Sequence, residues 1–283
     1  MIRVNTRNHL KMLILTSLVF FFIGFSISKT EAQTISIRAD IFFPVSGNPY
    51  DERPGYMIEI AQAILADKGV TVEYQTMPWA RSLILAEKGL IDCIVGAYKS
   101  KDRTLIYPSL PWGKDQNLFY VAKNSSWRFS GMSSLKDLRI GIIHGYSYSP
   151  DFDDFAKQTE NQSIFEYTFG LSALEQNISK LLAGRIDATI ETNLVMPKKL
   201  KELNLENDII PAGKLNTKND LYIACSPTKT SSRKYLQWFD EGIQKLRASG
   251  RLKLILQRYQ LTDWEAPSAV EKYPGADALP DGT

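Results

Sequence analysis

Strand patterns and helix patterns alternate along this chain from Thr34 onward, and that alternation restricts the folds open to it. Residues 35–39 alternate apolar and polar side chains, which is typical of a half-buried strand. Residues 55–68 place their apolar side chains on one face of a helix, and Gly69 follows at a natural helix end. Strands that alternate with helices of this length predict βαβ units and a largely parallel sheet.

The same alternation continues to the end of the patterned region. Further strands are predicted at residues 70–74, 91–97, 117–123, 138–143, 186–191 and 221–225. Further helices are predicted at residues 80–88, from about residue 151, and at 171–183, 233–248 and 252–259. The pattern restarts near Leu138, which favours two α/β units.

A short motif occurs once in each half of the chain. Gly89-Leu90-Ile91-Asp92 and Gly184-Arg185-Ile186-Asp187 both follow a predicted helix and lead into an apolar strand. Each glycine ends its helix at a place where a positive φ is convenient. The repeat indicates two similar units, and hence two lobes.

The N-terminus has the organisation of a secretory signal peptide over residues 1–32. Arg3, Arg7 and Lys11 precede a charge-free apolar run at residues 12–26, and small residues follow near a cleavage site. A membrane anchor is the alternative, but a spanning helix needs about 18 or more apolar residues. We therefore expect a soluble protein, exported to the periplasm and cleaved.

The charge balance of the mature chain argues against nucleic acid as a partner. The full chain has 34 basic and 31 acidic residues. Residues 1–32 hold four of the basic and one of the acidic residues, which leaves 30 of each. A nucleic-acid-binding protein normally shows a basic footprint, and a neutral mature chain does not.

The two cysteines, Cys93 and Cys225, both lie in apolar strand patterns. An oxidising compartment would permit a disulfide between them. The sequence does not show the geometry that a disulfide requires. Burial as two free thiols is the favoured expectation.

The sequence contains no recognisable catalytic or metal-binding motif. His144 is the single histidine beyond the predicted signal peptide, and the chain lacks HExxH, CxxC, GxSxG and P-loop spacings. Asp151, Asp153 and Asp154 do not fit a calcium loop, and acidic residues are favoured at the start of a helix. We predict no catalytic residue, no metal and no cofactor.

Aromatic and arginine residues near predicted strand ends form the remaining candidate site. Ligands of open α/β sheets bind beyond the carboxyl ends of the strands. Aromatic rings supply apolar walls there, and a guanidinium pairs with a carboxylate. Ordinary packing and surface salt bridges are the alternative interpretation of Phe42, Trp79, Tyr146, Arg81 and Arg103.

Several segments together resemble the bacterial extracellular solute-binding proteins of family 3, the periplasmic components of polar amino-acid ABC transporters. The resemblance covers residues 34–261. It is carried by Gly55-Tyr56-Met57-Ile58-Glu59-Ile60, Pro78-Trp79-Ala80-Arg81, the two glycine–aspartate motifs, and the pattern from Phe239 through Ser249-Gly250 to Tyr259.

The resemblance implies a two-lobed α/β fold of the type II periplasmic binding proteins, with two hinge strands. The first lobe would comprise residues 33–121 and 222–265, and the second residues 122–221. Residues 266–283 would be a flexible tail. The chain would act as a monomer that closes over a solute.

The resemblance also implies a ligand site. Arg103, in Ser100-Lys101-Asp102-Arg103, would hold a ligand carboxylate. Backbone N–H and hydroxyl groups of the turn at Tyr146 and Ser147 would donate hydrogen bonds to the same carboxylate. Relatives that bind α-amino acids carry an aspartate where this chain has Thr192. Glu191 is adjacent, but on a strand it would point to the opposite face. The full candidate set is Asp40, Phe42, Trp79, Arg81, Arg103, Tyr146, Ser147, Glu191 and Thr192.

The leading hypothesis is capture of a small polar, carboxylate-bearing solute, an amino acid or a related compound, for ABC permease subunits in the membrane. One alternative is an enzyme on the same fold that dehydrates a small cyclic carboxylic acid, with Glu191 or His144 as general acid. Another is delivery of a bound solute to a membrane receptor.

Overall fold

The computed structural model describes residues 33–265. The predicted signal peptide (1–32) and the predicted flexible tail (266–283) lie outside these residues. Within the described range, no helix combines the length and the apolar character that a membrane span requires.

The described residues form eight strands and seven α-helices. The strands are β1 (Thr34–Ala39), β2 (Thr71–Thr76), β3 (Cys93–Ala97), β4 (Gly113–Ala122), β5 (Ile140–Ile143), β6 (Phe165–Thr168), β7 (Ala188–Thr192) and β8 (Ile209–Cys225). The helices are α1 (Tyr56–Ala66), α2 (Trp79–Glu87), α3 (Pro150–Lys157), α4 (Ala173–Leu182), α5 (Val195–Leu203), α6 (Ser232–Ala248) and α7 (Arg251–Arg258). Short 3₁₀ turns occupy Met132–Leu135 and Thr159–Ile164.

The strands form one sheet in the order β2-β1-β3-β8-β4-β7-β5-β6. β1 runs parallel to β2 and β3, and β5 runs parallel to β6 and β7. The middle of the sheet is antiparallel, because β8 pairs with β3 and β4, and β4 pairs with β7. The prediction of a largely parallel sheet is therefore right for the two outer groups of strands and wrong for the centre.

The two parallel groups share one topology. In each, the first strand lies between the second and the third, as β2-β1-β3 and as β6-β5-β7. The two repeated aspartates, Asp92 and Asp187, make equivalent hydrogen bonds in the two groups. Asp92 accepts the backbone N–H of Ser36 at 2.8 Å, and Asp187 accepts that of Arg139 at 2.8 Å. In each group, the aspartate of the repeated motif therefore holds the backbone of the neighbouring strand segment, at Ser36 or at Arg139.

Helices α1 and α6 pack closely against each other. Helix α6 buries Tyr235, Phe239 and Ile243 at helical spacing, so one face is apolar. A Cβ atom at Gly242 would lie 2.5 Å from Ile64 of α1. Only glycine lets the two helices approach this closely, although glycine lowers helix propensity.

Aromatic rings build a further core around β4 and α3. Phe119 stacks on Phe129 with ring centroids 4.6 Å apart, and Phe152 lies 6.0 Å from Phe119. All three rings are buried. This core holds the start of α3 against the sheet, beside the cavity described below.

Cys93 and Cys225 form a disulfide, so the expectation of free thiols is wrong. The two residues are direct partners in the antiparallel pairing of β3 with β8, and both are buried. Their Cα atoms lie 4.0 Å apart, although 132 residues separate them in sequence. The strand pairing brings them together, and the sequence alone does not show that β3 and β8 are neighbours.

Loss of this disulfide should destabilise the fold. The crosslink closes a loop of 132 residues in the unfolded chain, and removing such a bond typically costs about 2–5 kcal/mol. We expect Cys93→Ala/Cys225→Ala to lower the free energy of unfolding by that order, measured by urea denaturation. A reductant should shift the wild-type midpoint and leave that of the double variant in place. Equal midpoints for the oxidised wild type and the double variant would contradict the crosslink.

Candidate functional site

A cavity of about 500 Å³ lies beyond the carboxyl ends of strands from both parallel groups. Asp40 follows β1, Tyr98 follows β3, and Tyr146 follows β5, while Thr192 is the last residue of β7. This is the edge at which open α/β sheets bind ligands. The volume suits a small molecule.

Tyr146 links the two sides of the cavity. It follows β5, but its hydroxyl donates a hydrogen bond to Asp40, after β1, at 3.2 Å. Its ring meets Phe42 edge-on at 6.0 Å between centroids and Trp79 at 6.5 Å. Tyr146 therefore contacts residues of the other parallel group across the cavity.

Gly145 permits this contact. Its φ of +85° favours glycine, and a Cβ atom there would lie 2.8 Å from the Cβ of Ala80 in α2. The turn after β5 thus approaches the start of α2 as closely as backbone atoms allow. A side chain at residue 145 would push Tyr146 away from Asp40.

Two ion pairs involve residues that line the cavity. Lys157 of α3 pairs with Asp102, which follows β3, at 3.1 Å. Arg103 pairs with Glu87 at 3.6 Å, and its side chain is 35% exposed. Pairs between exposed groups contribute about 0–1 kcal/mol. The exposed pair of Lys157 with Asp102 therefore contributes little to stability.

The buried wall of the cavity carries carboxyl groups. Burial raises the pKa of Asp40 to about 6 and that of Glu191 to about 8. Asp40 accepts the backbone N–H of Ile41 at 2.8 Å and the Tyr146 hydroxyl. Glu191 accepts the backbone N–H of Thr192 at 2.8 Å through Oε1.

A further buried carboxyl group lies behind this wall. Asp115 of β4 accepts the hydroxyl of Tyr98, a lining residue, at 2.9 Å, and burial raises its pKa to about 7. The charges of Asp115 and Asp40 also disfavour ionisation of Glu191. The interior of the cavity is therefore acidic.

The turn at Ser147 is already occupied by a side chain. Asp153 accepts the Ser147 hydroxyl and, at 3.0 Å, the backbone N–H of Tyr148. Ser149 caps α3 by accepting the N–H of Phe152 at 3.2 Å. The turn at Tyr146 and Ser147 was expected to donate to a ligand carboxylate, and here the Ser147 hydroxyl donates to the carboxylate of Asp153.

Glu191 and Thr192 both line the cavity, although neighbouring residues on a strand point to opposite faces. The cavity lies beyond the end of β7 and not against one face of it. Glu191 folds over the strand end onto the Thr192 N–H, while the Thr192 hydroxyl accepts the N–H of Val195 at 3.2 Å and helps to begin α5.

The structure brings most of the candidate set together. The candidates that line the cavity are Asp40, Phe42, Trp79, Arg103, Tyr146, Ser147, Glu191 and Thr192. Arg81 does not line it, because the residue lies on the exposed face of α2. His144 also lies outside the lining and stacks on Phe169 with centroids 4.6 Å apart.

Several lining residues were not predicted. Tyr98 and Tyr148 lie just beyond β3 and β5, so the rule of strand carboxyl ends could have found them. Asn117 has no such sequence feature. It lies inside β4, reaches the cavity through its pairing with Thr192, and donates to the carbonyl of Tyr148 at 2.7 Å.

The family of this chain follows from its sequence as a whole. The model of the bacterial extracellular solute-binding proteins, family 3, matches residues 42–262, and the chain belongs to that family. No curated protein sequence gives a significant match.

Solved structures show the same fold at low identity. An amino acid ABC transporter substrate-binding protein from Streptococcus pneumoniae, bound to L-arginine, is 21% identical with a TM-score of 0.65, covering 80% of this chain and 94% of that one. An ancestral arginine-binding protein bound to arginine is 20% identical with a TM-score of 0.67, covering 80% and 97%. A histidine kinase sensor domain with similarity to periplasmic binding proteins is 18% identical with a TM-score of 0.68, covering 80% and 95%. The predicted type II periplasmic-binding-protein fold is confirmed.

The raised pKa of Glu191 gives a pH dependence with a definite sign. An unfolded glutamate has a pKa of about 4.3, so folding takes up a proton between pH 5 and 8. The free energy of unfolding of the wild type should fall as the pH rises through that window. Glutamine does not titrate, so Glu191→Gln should gain stability relative to the wild type, by about 1–3 kcal/mol from pH 5 to pH 8.

Chemical denaturation at several pH values measures this difference. Glu206→Gln makes the same chemical change at an exposed position and serves as the control. A Glu191→Gln difference that stays constant from pH 5 to pH 8 would contradict the raised pKa.

Proposed function

We propose that this protein is a periplasmic binding protein that captures a small polar, carboxylate-bearing solute for an ABC permease, and that it is not an enzyme. The observation that carries this proposal is the cavity between the two parallel groups of strands. Both groups supply lining residues, and the Tyr146 hydroxyl of one group donates a hydrogen bond to Asp40 of the other. Binding, rather than chemistry, is what the family description of solute-binding proteins supports.

Two lobes would move relative to each other around the solute. We assign residues 33–121 with 222–265 to one lobe and residues 122–221 to the other. The long strands β4 and β8 pass between the two parallel groups, and hinges of few residues suffice for such closure. The contacts between the two sides of the cavity include the hydrogen bond of Tyr146 to Asp40, the edge-on contact of its ring with Phe42 and the exposed ion pair of Lys157 with Asp102.

Arg103 is the proposed carboxylate anchor. It is the one cationic side chain on the first lobe that lines the cavity in the described residues, and it is half-buried. Its partner Glu87 lies 3.6 Å away, in a loose pair that a bidentate carboxylate can replace. The protein would bind this solute as a monomer.

The experiment is a thermal-shift screen of residues 33–283 with amino acids, small carboxylates, amines and sugars. A ligand at a hundredfold excess over Kd adds about 2.7 kcal/mol to the free energy of unfolding. We expect stabilisation by at least one carboxylate-bearing compound. Arg103→Ala should weaken its binding by about tenfold to a hundredfold, because hydrogen bonds to charged groups are worth about 1.5–3 kcal/mol.

Arg185→Ala is the matched control, since it removes an exposed arginine that does not line the cavity. Stabilisation by no compound in the screen would overturn the proposal of solute binding. Equal affinities of Arg103→Ala and the wild type would overturn the carboxylate assignment alone.

A further inference from the structure

Three buried carboxyl groups from different parts of the sheet lie close enough to affect one another. Asp40 follows β1, Asp115 belongs to β4 and Glu191 belongs to β7, and these residues are 5%, 4% and 1% exposed, respectively. Burial disfavours the ionised form of each group, and the charges of Asp40 and Asp115 also disfavour ionisation of Glu191. We call these three residues the carboxyl cluster. Its ionisation costs free energy for as long as the three groups stay buried beside one another.

The described chain supplies no counter-charge to the innermost member of the cluster. Within the described residues, no lysine or arginine is close enough to shift the pKa of Glu191, and its Oε2 has no hydrogen-bond partner. The cations that line the cavity face other carboxylates. Arg103 pairs with Glu87 at 3.6 Å, and Lys157 pairs with Asp102 at 3.1 Å. An ionised cluster is therefore not neutralised by the protein itself.

The contacts that cover Asp40 come from the other parallel group. The hydroxyl of Tyr146, after β5, donates to Asp40 at 3.2 Å. The turn before Tyr146 lies so close to α2 that a Cβ atom on Gly145 would be 2.8 Å from Ala80. If this turn moved away from α2, water would reach Asp40. The distance between Asp40 and Glu191 would also increase, because the two residues belong to different parallel groups. Opening of the cavity therefore reduces both the burial and the repulsion.

Burial outweighs the hydrogen bonds that favour the ionised form of Asp40. The N–H of Ile41 and the hydroxyl of Tyr146 lower its pKa, yet the pKa stays raised at about 6, and that of Glu191 at about 8. Hydrated aspartate and glutamate have pKa values of about 3.9 and about 4.3. A closed arrangement that raises a pKa is most favoured at low pH, and this preference is lost as the pH rises through the raised value. Between pH 5 and pH 8, the equilibrium therefore moves toward the open arrangement.

The other ionisable groups that face the cluster do not oppose this trend. Glu175 of α4 acts on Asp40 with the same sign of charge, and it pairs with Lys199 of α5 at 2.8 Å. Asp153 of α3 accepts hydrogen bonds only from its own side of the cavity, from the turn after β5. Burial raises the pKa of the surrounding tyrosines above 10, so they stay protonated. These tyrosines are Tyr56, Tyr74, Tyr98, Tyr146 and Tyr148.

We propose that the carboxyl cluster is a pH-sensitive switch on closure of the cavity. While its members are neutral, the two lobes stay in contact at Tyr146 and Asp40. When the members ionise, their repulsion and their need for hydration favour separation of the lobes. This inference rests on the lobe motion of the proposed function and does not depend on which solute binds. The switch adds a second control on closure, besides the solute.

The distance between the lobes in the solute-free protein, residues 33–283, tests the switch. Lys88→Cys and Glu160→Cys place two dyes on exposed residues at opposite sides of the cavity. The native cysteines are buried in a disulfide and do not react with the dyes. In single-molecule energy transfer, we expect the ratio of open to closed molecules to rise at least about tenfold from pH 5 to pH 8, because one pKa unit corresponds to a tenfold change. Circular dichroism checks that the fold persists at each pH.

The double variant Asp40→Asn/Glu191→Gln removes two titrating groups with little change in shape. Its open-to-closed ratio should change by about threefold or less over the same range, with Asp115 responsible for the remaining slope. Asp208→Asn/Glu206→Gln makes the same chemical changes at exposed positions and serves as the control. The control should follow the wild type at every pH.

Tyr146→Phe keeps the test decisive for a wild type that is almost fully closed. The variant loses the hydrogen bond to Asp40, so we expect a larger open fraction at every pH and the same rise toward pH 8. An open fraction that is constant or falls with pH in both the wild type and Tyr146→Phe would overturn the inference. Equal pH dependence of the wild type and Asp40→Asn/Glu191→Gln would also overturn it. The thermal-shift screen decides solute binding separately, so the two proposals can fail independently.

Discussion

The antiparallel pairing of β4 with β8 is the contact on which the rest of the structure depends. It runs from Gly113 opposite Leu221 to Ala122 opposite Ile209, and it joins two parallel groups that are otherwise complete in themselves. Because β3 pairs with β8 and β7 with β4, the carboxyl ends of both groups line one cavity. The disulfide between β3 and β8 reinforces this arrangement at the end of β8.

The cavity separates groups that water can reach from groups that it cannot. The ion pair of Lys157 with Asp102 is exposed, so solvent screening keeps its contribution to stability small. Asp40 and Glu191 are buried and form no ion pair within the described chain. Burying an unpaired carboxyl group costs stability unless it takes up a proton. Burial therefore raises the pKa of both carboxyl groups.

Much of the fold and part of the site could be predicted from the sequence. The helices α1, α2, α4 and α6 follow from apolar spacing that ends at glycine, and α7 follows from apolar spacing alone. The strand-end rule places Asp40, Phe42 and Tyr146 at one edge. The rule fails for Arg81, because a helical residue near a strand end can equally face solvent. β6 and α5 were missed, since their short patterns carry too little periodicity, and β8 was predicted far too short.

By itself, the sequence determined the α/β alternation, the duplicated strand–helix unit and the residue types available at the strand ends, because these depend on local spacing. Only the tertiary structure decided which strands are neighbours. That choice pairs Cys93 with Cys225, brings Asn117 beside Thr192, and sets Asp115 behind Tyr98. It also determines that Glu191 meets no cation, since charge balance in a buried site depends on contacts between residues far apart in the chain.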